Sequence, residues 1–257
     1  MSIKSIAGSL AAAALPNCRF EQSIFLLGHM RCGSTALSKV ICNHPQVSGY
    51  GEAHIAYVGQ SALGVLALNQ IRRHAFHPGA TRLFDKILHS RYDVNAGPEF
   101  FHGSAVFLIR SPIETIRSIR KLFSGSASRE FASDAAAVDY YEERLTALAR
   151  LWERFPSERR FATTYSRLTA DPDAALADIS ARLQLDPPLG NRYAADTRAQ
   201  AHGAGDPLSA HRFDRIVASD ISTTLRQNYD KFDVEYSRIQ RIEDLFYDIS
   251  SLMVDDG

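Results

Sequence analysis

The chain has 257 residues, 45% of them apolar, and 29 Lys and Arg balance 29 Asp and Glu to a formal net charge of zero. That size supports a single large domain with a proper core, spanning 1–257. The charge balance removes the long-range positive field that nucleic acid needs, and no stretch approaches the ~20 apolar residues needed to span a bilayer.

Residues 1–20 carry one early lysine, Lys4, and an apolar run diluted by alanine. They read as a peripheral helix or a frayed start and not as a leader peptide. Cys18, Cys32 and Cys42 have no CxxC spacing, which points to reduced thiols and a cytoplasmic setting without a disulfide framework or zinc site.

Ile24-Phe25-Leu26-Leu27 has the length and content of a buried strand and breaks at Gly28. Gly33 follows five residues later, and Ser34-Thr35 open a helix with Ala36, Leu37, Val40 and Ile41 at helical spacing, ending at His44-Pro45. Strand, glycine-bounded loop and helix start place backbone N–H groups and a positive helix end around one point, which suits an anion. The spacing is close to a P-loop, but Ser34 stands where that motif has lysine, and the cation has moved to Arg31. Losing the lysine weakens plain ATP chemistry, and arginine offers a flat, permanently charged fork for oxyanions.

The spacing predicts a helix over roughly His54–His74, then a strand over Arg82–His89. His74 and His77 have no third ligand beside them, so no metal site is expected. Ser104–Ile109 reads as a second buried strand ending at Arg110, and Ser111-Pro112-Ile113-Glu114 as a capping box with proline at the first helical position. Arg110 thus sits at the carboxyl end of a core strand, where open α/β sheets bind ligands, with Ser118 on the face of the following helix start. Two anion sites on neighbouring strand ends suggest a nucleotide with two separated phosphate groups. The expected fold is α/β, a P-loop-like parallel sheet flanked by helices on both faces.

These two units resemble the signature motifs of the sulfotransferases, which use 3′-phosphoadenosine 5′-phosphosulfate (PAPS) as sulfuryl donor and release 3′,5′-bisphosphoadenosine (PAP). The resemblance implies that Arg31, Cys32, Gly33, Ser34 and Thr35 hold the 5′-phosphosulfate and that Arg110 and Ser118 hold the 3′-phosphate. The stretch from Arg31 through His44-Pro45 to Gly51-Glu52 is similar to the tyrosylprotein sulfotransferases, in which a catalytic glutamate falls where Glu52 does. Asp85-Lys86 resembles their Lys-Asp-Pro neighbourhood, whose lysine assists at the reacting sulfate. Ile87 and Leu88 depart from the usual Asp-Pro, and Ala53 replaces the second residue of a Glu-Glu pair. Tyr165, in Thr163–Leu168 ahead of Asp171-Pro172, resembles a Tyr-Glu-Asp-Leu segment beside the nucleotide. The resemblance covers about two-thirds of the chain, and small bacterial carbohydrate sulfotransferases share it.

Sulfuryl transfer spreads negative charge in its transition state, so positioned cations and N–H donors are the main need. Arg31 and Lys86 can supply that charge, and Glu52 can take the acceptor's proton, with His89 the rival base. Ser133–Phe155 reads as a long helix burying Tyr140, Leu145, Leu148 and Trp152, followed by a strand over Arg159–Tyr165 and a helix over Pro172–Leu183 capped by Asp171. Residues 186–210 read as a covering loop, and Gly203–Pro207 with Arg212 resemble a donor-covering segment of bacterial sulfotransferases. Ala218–Phe232 and Ser237–Leu252 look helical. The acceptor is expected to be a hydroxyl of a sugar, glycolipid or small metabolite, with a tyrosyl peptide as the alternative and homodimerisation open. A P-loop kinase and a non-catalytic nucleotide-binding protein remain as other classes.

Overall fold

The computed structural model describes residues 3–124, 130–193, 213–218 and 232–255. Strands β1 (Ser23–Gly28), β2 (Val47–Ser48), β3 (Arg82–Ile87), β4 (Ser104–Ile109) and β5 (Arg160–Thr164) form one sheet in the order β2-β3-β1-β4-β5. Every pairing is parallel. A parallel strand needs a crossover to return, and that requirement puts helices on the sheet faces. β1 and β4 are buried along their whole length, as their unbroken apolar runs demand.

The described helices are α1 (Ile3–Ala14), α2 (Ser34–Cys42), α3 (Ser61–Arg72), α4 (Pro112–Phe123), α5 (Asp134–Arg154), α6 (Tyr165–Ala170), α7 (Pro172–Leu183) and α8 (Tyr236–Asp255). Side chains alternate across the sheet. Phe25, Leu27, Leu83, Ile87, Ala105 and Phe107 pack with α3, α4, α5 and α8. Ile24, Leu26, Phe84, Val106 and Leu108 pack with α2, α6 and α7. The predicted α/β sheet with helices on both faces is therefore observed. α1 packs on α3 through paired glycines, since a Cβ on Gly64 would run into the Gly8 carbonyl. No helix among the described residues is long and apolar enough to cross a membrane.

Several local expectations need correction. The helix placed at His54–His74 begins only at Ser61. His54 takes a left-handed φ of 55°, and the Tyr57 N–H and C=O bond to Tyr92 O and Gly97 N–H, so the backbone there is spent on loop contacts. The box at Ser111 is also different. Its hydroxyl donates to Glu114 Oε2 (3.1 Å) and caps no helical N–H, because Glu114 is drawn to Arg110. Tyr140, assigned to the buried stripe of α5, is only partly buried, and its hydroxyl reaches the loop after β1. The two-residue β2 and the short α6 carry too little pattern to foresee. By contrast Asp171 caps α7 through Ala174 N–H (3.0 Å), as read from the sequence. Most of Ala218–Phe232, residues 194–210 of the covering loop, and Arg212 lie outside the described residues.

Candidate active site

The strand order reverses about β1, and in an open α/β sheet the crevice beyond the carboxyl ends at such a point is where ligands sit. A cavity of about 410 Å³ lies there, walled by Arg31, Thr35, Glu52, His89, Arg110 and Tyr165 among others. The loop after β1 turns through left-handed conformations at Arg31 (φ 67°) and Gly33 (φ 93°). Gly33 is required twice over, since a Cβ there would also lie 2.7 Å from the Tyr165 ring. α2 then opens at Ser34; the Ala36 and Leu37 N–H groups bond back to Gly33 O (3.2 and 3.4 Å), and Ser34, Thr35 and Ala36 put the positive helix end in the cavity wall. The Cys32 side chain is fully buried in the core cluster that holds Leu37 and Leu108, and Cys32 is not among the residues lining the cavity.

On one side of the loop Arg31 Nε donates to Ser118 Oγ on α4 (2.8 Å). Arg110, one residue past β4, donates from Nη1 to Arg31 O (3.2 Å) and from Nε to Glu114 (3.1 Å). Its guanidinium lies 4.0 Å from the centre of the Tyr165 ring. Arg31, Ser118, Arg110 and Tyr165 are thus brought together, but Ser118 is held by Arg31 and not by Arg110. Lys39, Tyr193, Phe213 and residues 215–218 also line the cavity, the 213–218 segment being tied back by Tyr193 N–H to Asp214 O (2.8 Å).

On the other side Lys86 Nζ lies 3.2 Å from Glu52 Oε1 and 3.4 Å from Thr35 Oγ1, with its side chain 1% exposed. His54 Nε2 lies 3.2 Å from Glu52 Oε2, so both carboxylate oxygens are engaged. Burial pushes the Glu52 carboxyl up, but Lys86 and then His54 outweigh it and hold the group down at about 2. His89 also faces the cavity, its ring 5.6 Å from that of Tyr140, and burial lowers its basicity.

Four supporting residues were not singled out for the site from the sequence. Buried Arg144 of α5 makes a two-pronged contact with Asp93 (2.8 and 2.7 Å) and donates to Gly28 O (2.8 Å) and Ile87 O (3.0 Å), tying the ends of β1 and β3 together. A charged residue within the apolar stripe Tyr141-Leu145-Leu148 was the available signal. His29 is fully buried; its Nε2 accepts the Arg110 N–H (3.0 Å) and its Nδ1 pairs with Met30 O (2.9 Å). Burial lowers His29 to about 4, so the ring is neutral at physiological pH. Tyr140 accepts from Met30 N–H (2.7 Å) and donates to Leu88 O (2.8 Å), joining the loop to the segment that carries His89.

No protein-family model and no curated protein matches the sequence. Solved structures do match. The sulfotransferase domain from the Synechococcus PCC 7002 olefin synthase superposes with a TM-score of 0.58 at 16% identity, covering 88% of this chain and 94% of that one. The sulfotransferase domain from the curacin biosynthetic pathway gives 0.51 at 16% identity, covering 89% and 98%. The chain has the sulfotransferase fold.

Proposed function

We propose that this chain, built on the sulfotransferase fold, transfers a sulfuryl group from PAPS to a hydroxyl of a carbohydrate or small metabolite. The observation that carries the reading is the cluster of buried Lys86 with half-buried Glu52 and Thr35 at the mouth of a P-loop-like turn that lacks the nucleotide-kinase lysine. A cation and a carboxylate 3.2 Å apart, beside first-turn N–H groups, match what transfer to a hydroxyl needs. PAPS supplies the activated sulfuryl group. Arg31, Gly33, Ser34 and Thr35 would hold its 5′-phosphosulfate, and Arg110 with Ser118 and Tyr165 the 3′-phosphate side.

In the reaction the acceptor oxygen bonds to sulfur as the bond from sulfur to the PAP phosphate oxygen breaks. Glu52 takes the hydroxyl proton. Lys86 then loses part of its pairing with Glu52 and is free to stabilise the oxygens of the transferring group, with Arg31 beside it. His89 is the rival base from the same wall.

Single-turnover transfer of ³⁵S from labelled PAPS tests this, using sugars, glycolipids, phenols and tyrosyl peptides as acceptors. The reading expects label on a sugar or small-metabolite hydroxyl. Label on tyrosyl peptide would redirect the acceptor class, and a chain that binds PAP but labels nothing in the panel would contradict catalysis on these acceptors.

A further inference from the structure

Asp85 adjoins Lys86 on β3, and alternation along the strand sends its side chain to the opposite layer, where it is 1% exposed. Its neighbours in that layer along β3 are Leu83 and Ile87, and an apolar side chain would fill the same space without desolvating a charge. The carboxylate is instead saturated. Oδ1 accepts the Ala53 N–H and the Lys86 N–H, both at 2.8 Å, and Oδ2 accepts the Tyr57 hydroxyl at 2.7 Å. Lys86 N–H also reaches Gly51 O at 3.2 Å. The bonded positions 51, 53 and 57 bracket Glu52 in a segment that has no regular secondary structure of its own. Tyr57 is locked in turn, fully buried with its ring edge-on to Phe25 at 4.9 Å.

We propose that Asp85 is a positioning residue that sets the Glu52 carboxylate against the Lys86 ammonium, by pinning the backbone around Glu52 to the strand that carries the lysine. This rests on the reading of Glu52 and Lys86 as the reacting pair. Without the pin, the Lys86 N–H bond to Gly51 O is the one backbone tie between β3 and the 51–57 segment among the described residues, and it stops short of Glu52, so a carboxylate and an ammonium on separate elements drift out of contact range. Hydrogen bonds of this kind fix geometry to fractions of an ångström, which is what a base in transfer chemistry requires.

Keeping that carboxylate charged has a thermodynamic signature. Burial pushes Asp85 up to about 7 despite its three donors. The groups in electrostatic reach are Tyr57 and Glu52 from the bracketed segment, Tyr50 beyond β2, Cys42 of α2 and Lys86 on its own strand. Because the folded value lies above the unfolded one of about 3.9, this group's contribution to stability is lost as pH rises through about 7. Asp85→Asn, which removes the charge and keeps the shape, is therefore expected to melt no lower than the parent chain at pH 8.

The test follows the Glu52 carboxyl by ¹³C NMR titration in the full chain, in Asp85→Leu and in Tyr57→Phe, with Asp85→Asn, whose Oδ1 keeps both N–H bonds, as the control, and with melting temperatures and PAP affinity measured on the same samples. Lys86 and His54 hold the parent Glu52 carboxyl at about 2. In Asp85→Leu it should rise by at least one pH unit toward the ordinary value of about 4.3, and in Tyr57→Phe by a few tenths, with PAP affinity kept within about threefold. A Glu52 titration unmoved in both variants overturns the proposal, and so does a rise that merely tracks a fall in melting temperature. If Asp85→Leu does not fold, Tyr57→Phe decides by the same criterion. A parent chain that ignores PAP would sink the donor reading and leave this result standing.

Discussion

Two buried cations stand at the carboxyl ends of the central strands, and they are held in opposite ways. Arg144 is 1% exposed and meets the carboxylate of Asp93 with two nitrogens while two strand-end carbonyls take two more bonds, so four of its five N–H donors are used. Each of its three nitrogens is engaged, which is how a guanidinium is immobilised. Lys86 is as deeply buried, yet its contacts are one carboxylate oxygen and one threonine hydroxyl, at 3.2 and 3.4 Å. It has three donors, and both of its partners, Glu52 and Thr35, line the cavity. A saturated charge fixes a structure. A loosely paired one, one residue behind a cavity wall, can change partners during a reaction.

The sharpest way to break that contrast is to remove the partner on the loose side. Glu52→Gln should cut sulfuryl transfer by roughly 10²–10⁴ and leave PAP affinity nearly intact, read as single-turnover rate against calorimetric affinity. A rate close to that of the parent chain would return the base role to His89. On the saturated side, Arg144→Met strands the Asp93 carboxylate, and breaking such a buried pair costs about 3–5 kcal/mol, visible in denaturant unfolding. Replacing both, Arg144→Met with Asp93→Leu, should recover much of that loss, because burial already lifts the Asp93 carboxyl above its usual range in spite of Arg144.

A smaller effect comes from His29, which joins the loop to β4 in its neutral form. Its folded value of about 4 lies below the unfolded value of about 6.5, so the stability it contributes is full above 6.5 and is lost as pH falls toward 4. Melting temperature should fall across that window, and His29→Gln should flatten the fall. The smallest effect is Ser118→Ala. It removes one hydrogen bond to Arg31, and PAP affinity should weaken by roughly 2–10-fold with the melting temperature unchanged.

What the sequence made legible follows the range of the interactions. The unbroken apolar runs at β1 and β4 and the glycine spacing between Gly28 and Gly33 are local, so the sheet core and the loop could be read directly. Arg31 and Arg110 could be nominated because each sits a fixed step from a glycine or a strand end, and Glu52 and Lys86 through the resemblance to sulfotransferase motifs. The irregular course of residues 53–60 was not legible, because Ile55 to Val58 look like the start of α3 while the Tyr57 hydroxyl is pulled 28 residues along the chain to Asp85. The Arg144–Asp93 pair spans 51 residues, and the link between His29 and Arg110 spans 81. Pairings at that distance are set by the assembled sheet and leave no periodicity behind. Nor did spacing reveal that Arg31 would take Ser118, which the motif alone would give to Arg110.

The account turns on one cavity accepting an adenosine that carries phosphate at both its 3′ and 5′ positions. Calorimetric titration of the purified chain with PAP, set beside ATP with magnesium, measures this most directly. The account predicts one PAP per chain, bound at least tenfold more tightly than ATP with magnesium and weakened by Arg31→Met and by Arg110→Met alike. No heat from PAP, or a preference for ATP with magnesium, would contradict it.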